Sequence, residues 1–254
     1  MRKAVAIAAA LALGAPSARG ATLEELLARN LEARGGRERI AALRSLQLTG
    51  KIVFGESDGF ELAWTKLVKR PGMIRAEGSV QGLTAIRAFD GRGGWQVNPF
   101  FGRREPDRLA SDDAKPLARD ADLDGPLVAA KEQGNVLAYL GTEDVDGTEA
   151  HKIQVTRPDG DVEYVYLDPD RFLEIRVETR RRVRGVEVIE ERDLGSYEPV
   201  EGVLLPFSIE AGPKGGARNQ RITVLRAAGN VPLDDALFAF PAGAQPAPIP
   251  PPPA

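Results

Sequence analysis

Cysteine is absent from the 254 residues, and histidine, methionine and tryptophan are scarce, with one, two and two copies. The first absence excludes disulfides, thiolate metal sites, a cysteine nucleophile and lipid attachment at an N-terminal cysteine. An exported chain without disulfides fits a bacterial periplasm better than a eukaryotic secretory route, because its core alone must hold the fold. The single histidine, His151, lies in a strand-like run between Ala150 and Lys152, far from any serine in a nucleophile-elbow context. Its surroundings support neither a Ser-His-Asp triad nor a histidine zinc site, and it reads as a half-exposed strand position. An excess of basic charge is missing too. The formal net charge is −3, and it becomes −6 if residues 1–20, which hold Arg2, Lys3 and Arg19 but no acid, are removed. Phosphate neutralisation needs a basic face, so nucleic acid is not an expected partner.

Long apolar runs are also lacking. The longest, Ala4 to Leu13, follows Arg2-Lys3 and precedes Gly14, Pro16 and the triplet Ala18-Arg19-Gly20. A basic start, a short apolar stretch and small residues before Ala21 predict a secretory signal peptide over residues 1–20, cleaved before Ala21. A spanning helix takes about 20 apolar residues, so no integral membrane protein is expected.

What is present is mostly strand pattern behind a helical start. Thr22 and Glu25 form a capping-box pair, and Leu23, Leu26, Leu27 and Leu31 fall on one helical face up to Arg34. Gly35-Gly36 ends that helix, and a shorter one is expected over Arg37 to Leu43. From Ser45 the period becomes two: Leu46, Leu48, Ile52 and Phe54, then Phe60, Leu62, Trp64 and Val68, alternate with polar residues. This is the pattern of antiparallel strands with one buried side. Asp58-Gly59, Asp90-Gly91, Asp146-Gly147 and Asp159-Gly160 are turns between such runs. About ten or eleven strands are expected between Leu46 and Leu225.

Residues 99–134 interrupt the alternation with Pro99, Pro106, Pro116 and Pro126, and carry one predicted short helix from about Gly125 to Glu132. Such an insertion reads as a lid or binding loop, or as a disordered one. Pro241 to Ala254 contains seven prolines and predicts an extended, solvated tail, disordered over 242–254. The acidic pairs, including Asp112-Asp113, Asp122 with Asp124 and Asp168 with Asp170, do not follow EF-hand spacing. The cluster Gly91, Gly93, Gly94 leads into a strand rather than a helix, so it is a hairpin turn and not a phosphate loop. Arg180-Arg181-Arg182 with Arg184 reads as a solvated hairpin end. No catalytic residue, metal site or cofactor is expected, and the chain does not read as an enzyme.

The order of segments in the second half resembles a known group. Glu163 to Pro169 leads through an aspartate-proline turn into Phe172 to Arg176; Tyr197-Glu198-Pro199-Val200-Glu201-Gly202 leads into Val203 to Phe207; and Val231 to Phe238 precedes Pro241. With the opening helix, Gly35-Gly36 and the strand through Leu46 to Lys51, this succession is similar to the LolA/LolB-like superfamily of periplasmic lipoprotein-sorting proteins. The resemblance implies a mainly β protein with helices over 21–241: an incomplete, curved antiparallel barrel whose concave face is covered by helices around an apolar cavity. It implies a periplasmic carrier of lipoprotein or lipid acyl chains in outer-membrane lipoprotein sorting. The alternative is an envelope sensor or scaffold that binds a membrane-bound protein partner through the same surface. If such a cavity exists, the alternation points to Leu48, Ile52, Phe60, Leu62, Trp64, Ile74 and Ile86 as its lining, with Leu127 near the entrance.

Overall fold

Thr22 opens the first helix, α1 (Leu23–Ala33), with the reciprocal bonds its spacing predicts: Thr22 Oγ1 accepts from the Glu25 amide at 3.2 Å, and Glu25 Oε2 accepts from the Thr22 amide at 2.8 Å. A computed structural model describes residues 21–55, 59–183, 185–243, 246 and 248–251. The predicted leader over residues 1–20, Asp58 of the first turn and Arg184 lie outside the described residues. Gly35 and Gly36, both at positive φ, turn the chain into α2 (Arg37–Ala42). Gly35 also has a packing reason: a Cβ there would stand 2.2 Å from the Gly202 carbonyl oxygen.

One antiparallel sheet follows. Its first half is a meander of β1 (Ser45–Phe54), β2 (Phe60–Lys69), β3 (Met73–Val80), β4 (Leu83–Phe89), β5 (Gly94–Asn98) and β6 (Arg103–Arg108). The second half is another, of β7 (Val136–Val145), β8 (Thr148–Thr156), β9 (Val162–Leu167), β10 (Glu174–Val183), β11 (Val186–Val200), β12 (Val203–Pro213) and β13 (Gln220–Gly229). The two join where β1 pairs with β13, Leu46 opposite Gly229 and Ile52 opposite Ile222. β6 and β7 are the two edges, so the sheet stays open. Thirteen strands stand where ten or eleven are expected. Among the additions is β6, a charged edge strand with Pro106, which has no alternation to betray it.

Residues 99–134 fold more than their sequence suggests. Besides β6 they form α3 (Ser111–Asp120) and α4 (Gly125–Val128), the latter stopping short of the predicted Glu132.

Strand register sorts the side chains onto two faces. Helices cover one. There Leu48, Ile52, Leu62, Trp64 and Ile74 pack with Ile40 and Leu43 around α2 and with Leu117 and Ala121 at α3. Leu26 of α1 and Leu127 of α4 pack over Ile153, Val165 and Val177 on the same face of the other half. The second face of β2–β5 is covered by the C-terminal segment. Val231, Leu233, Leu237 and Phe238 pack on Leu67 and Met73, and Phe240 meets Trp95. The described part of the proline-rich tail is also in contact with the sheet: Ile249 packs on this cluster, and the Gln47 side-chain amide donates to the Pro250 carbonyl at 3.1 Å.

Candidate ligand-binding face

The helix-covered face brings together most of the predicted lining. Leu48, Ile52, Leu62, Trp64 and Ile74 form one buried cluster, with exposures of 8% or less. Phe60 points to the same face, opposite Phe54, but is half exposed at the sheet end, where its ring meets Phe100 edge-on at 6.3 Å. Leu127 is buried beside α1 rather than at an opening. Ile86 is displaced from the set. It pairs with Glu77 and Val97, the neighbours of Phe89 having the opposite sense, and it packs with Trp95 under the C-terminal segment. The reason is that β4 is apolar on both sides, so alternation alone cannot choose its face.

Further along this face the packing loosens. Leu194, Ile209 and Ile222 are direct register partners on β11, β12 and β13, and each keeps part of its surface accessible. Leu205 and Ala227 do the same nearby. This gives a half-buried apolar strip beside the filled core.

The strip ends at charge. Lys66 of β2 pairs with Leu48 on one side and Ala76 on the other, and Ala76 pairs with Arg87 of β4. Arg192 of β11 reaches Asp120 of α3 at 2.8 Å, and Arg87 donates to the Asp113 carbonyl at 3.0 Å. These residues lie deep among the protein's atoms, yet Arg192 and Asp120 keep 35% and 38% of their side-chain surface accessible and Arg87 is exposed. Their side chains therefore reach solvent beside α3. Burial pulls the Lys66 amine below the usual lysine range, with Asp120 opposing and Arg192 reinforcing the shift. For Asp120 burial works towards protonation, but Arg192 and Lys66 outweigh it and keep the carboxyl below its ordinary range.

Nothing in the sequence joins these four residues, because their strands pair only in the folded sheet. One signal was available. Lys66 falls on the even-spaced stripe of Phe60, Leu62, Trp64 and Val68, where a charge breaks an otherwise apolar face.

α3 is tied down by polar contacts at its C-terminal end. Arg119 pairs with Asp159 at 3.3 Å and with Asp161 at the β8–β9 turn, and Asp120 holds Arg192. Beside it lies a cavity of about 480 Å³ lined by Lys115, Arg119, Gln133, Asn135 and Arg157 among others, much of it by the carbon atoms of these side chains. A second, of about 680 Å³, sits between Arg44, Arg70 and Asn230. Among the described residues there is no group of three metal-ligating side chains, and no helix is long and apolar enough to cross a membrane.

No protein-family model matches the sequence, and no curated protein matches it. Solved structures do match the fold. A Vibrio parahaemolyticus domain of the outer membrane lipoprotein-sorting kind superposes with a TM-score of 0.56 at 11% identity, over 85% of this chain and 96% of that one. A LolA superfamily protein from Nitrosomonas europaea gives 0.55 at 13%, over 87% and 98%. A DUF1329 family protein from Desulfovibrio piger gives 0.51 at 12%, over 85% and 97%. An open antiparallel sheet with helices on one face, matched over nearly the whole length of these proteins, gives this chain the fold of the LolA-like superfamily.

Proposed function

We propose that the protein is a periplasmic carrier that binds the acyl chain of a lipoprotein or lipid on the helix-covered face of its sheet, in the traffic of lipoproteins to the outer membrane. The observation that carries this reading is the half-buried strip of Leu194, Ile209 and Ile222, left partly accessible beside a dense core. Surface of this kind needs no reacting group to hold a hydrocarbon chain. Each buried CH₂ contributes about 0.8 kcal/mol, so a chain of ~16 carbons contributes on the order of 10 kcal/mol before ordering costs are subtracted. The fold shared with lipoprotein-sorting domains supports the same reading.

Room for a whole chain requires α3 to shift. That helix buries only Ala114 and Leu117 of its ten residues, and its remaining hold on the sheet is polar, the bond from Arg87 to the Asp113 carbonyl and the ion pairs of Arg119 and Asp120. The Arg192–Asp120 pair keeps about a third of each side chain accessible and contributes little, so the buried Arg119–Asp161 pair is the main polar contact that lifting α3 must break. The 99–134 segment is in this reading a lid.

The test is displacement of a lipophilic fluorescent probe by a triacylated lipopeptide. Saturable displacement at one probe per chain is expected. A probe that never binds, or that is not displaced, removes the carrier reading.

A further inference from the structure

Three cations converge inside the sheet near the apolar strip: Lys66 from β2, Arg87 from β4 and Arg192 from β11. Four carboxylates lie within their electrostatic reach, Asp120 and Asp113 of α3 with Glu163 of β9 and Glu190 of β11, and Arg181 of β10 is a further cation near Arg87. Arg192 is paired with Asp120, and Arg87 is held by the Asp113 carbonyl. Lys66 differs. Among the described residues its amine has neither a hydrogen bond nor an ion pair, although the residue is only partly accessible and burial disfavours its charge. A lysine on the apolar side of a strand, between Trp64 and Val68, costs stability unless it meets an anion.

The neighbouring apolar residues define what kind of anion fits. Lys66 is the register partner of Leu48, which belongs to the buried core, and Arg192 precedes Leu194 of the accessible strip by one alternation. The positive cluster is thus continuous with greasy surface on one side and open to water on the other. A free inorganic ion would use the charge and gain nothing from the greasy surface.

We propose that Lys66, Arg87 and Arg192 form a site for the anionic headgroup, carboxylate or phosphate, of an acyl amphiphile whose tail lies on the Leu194–Ile209–Ile222 strip. This deepens the acyl-carrier reading and rests on it. The headgroup supplies the direct ion pair that Lys66 lacks, Asp120 acting on it only at a distance, and leaves the Arg192–Asp120 pair intact. Ligand choice then depends on charge as well as on hydrocarbon length.

The experiment compares two fluorescent 18-carbon probes, cis-parinaric acid and its uncharged methyl ester, on the full chain, on Lys66→Met and on Arg87→Met. Hydrogen bonds to charged groups are worth about 1.5–3 kcal/mol, so the acid should bind at least roughly tenfold more tightly than the ester. Either variant should bring the two affinities together while leaving the ester unchanged; Arg87 is exposed, so its variant keeps the test open if Lys66→Met misfolds. Equal affinities in the unmodified chain, with both probes bound, overturn the headgroup site and spare the carrier reading. Failure of both probes to bind overturns both. Displacement of the acid by inorganic phosphate at comparable concentration would mean that the tail contributes nothing, and the amphiphile assignment would fall.

Discussion

Arg70 grips Asp124 with both terminal nitrogens, Nη1 at 2.7 Å from Oδ2 and Nη2 at 2.5 Å from Oδ1. The same guanidinium donates to the carbonyls of Ile40 and Leu43 at the end of α2. Arg34 adds bonds to the carbonyls of Asp124 and Leu123. Two arginines from the start of the chain therefore fasten the link between α3 and α4. This fixes the α3–α4 link inside the 99–134 segment, while α3 itself is held by Ala114, Leu117 and polar contacts.

Replacing Asp124 by alanine removes the bidentate partner and leaves Arg70 only its carbonyl acceptors. The charge-assisted bonds lost should cost about 2 kcal/mol, seen as a lower urea midpoint at unchanged slope. Hydrogen exchange should quicken across residues 122–128 and not in β8 or β9. A variant as stable as the parent, with unchanged exchange there, would contradict the fastening role.

Much of this architecture is legible in the sequence, and the gaps have physical causes. The capping pair Thr22 and Glu25, the glycine break at 35–36 and the hairpins at Asp90-Gly91, Asp146-Gly147 and Asp159-Gly160 are local, and each appears where its residues predict. α3 is less visible, because Pro116 sits inside it and no side chain caps it, although Ala114, Leu117, Ala118 and Ala121 keep helical spacing. Ile86 faces away from the predicted set because β4 is buried on both sides, by helices and by the C-terminal segment. The cluster of Lys66, Arg87 and Arg192 depends on the β1–β13 junction, which joins residues over a hundred positions apart and leaves no local trace.

That junction has a single weak point. At Gly50 the β1–β13 register shifts, and a Cβ would stand 2.0 Å from the Thr223 carbonyl oxygen. Backbone on the opposite strand cannot retreat as a side chain can, so Gly50→Ala must part the two meanders locally. A loss of about 3 kcal/mol is expected in urea unfolding, far above the usual effect of adding one methyl group at a strand surface. Gly93→Ala, with nothing within 4 Å of the added carbon, is the control and should cost little.

The only histidine gives a clean pH probe. His151 Nδ1 lies 3.0 Å from the Tyr139 hydroxyl, and its ring stacks on Phe172 at 6.1 Å between centroids. Burial lowers its pKa below 6.5 and Arg29 adds to the shift, while Glu149 opposes them. In the unfolded chain the imidazole binds its proton more readily, so stability rises with pH between the folded value and 6.5. Acidification should therefore begin to weaken the fold as pH drops below 6.5, and this contribution should be fully lost once pH has passed the folded value. NMR titration of the single imidazole should give a midpoint below 6.5, and His151→Phe should flatten the stability profile in that window. A midpoint at or above 6.5 would refute the assignment.

The C-terminal segment divides into a part the sheet needs and a part it does not. Phe238 is fully buried, its carbonyl accepts the Trp95 indole N–H at 2.8 Å, and Arg75 donates to the Leu237 carbonyl at 2.9 Å. Removing residues 231–254 would uncover Leu67, Met73 and Trp95 and take the acceptors from three buried donors, Trp95 Nε1, Arg75 Nη1 and Ser45 Oγ. Such a chain should be insoluble or unfolded, and Phe238→Ala alone should cost about 3–5 kcal/mol. Beyond Phe240, the contacts of the described residues with the sheet are far fewer, chiefly Ile249 and the Gln47–Pro250 bond. A chain ending at Phe240 should therefore unfold within about 1 kcal/mol of the full protein, since a single part-buried hydrogen bond, whose Gln47 donor the truncation opens to water, and one partly buried side chain contribute little. Urea curves for the two truncations separate the roles: a large loss from the shorter deletion would mean that the proline-rich stretch is itself a structural strap across the sheet.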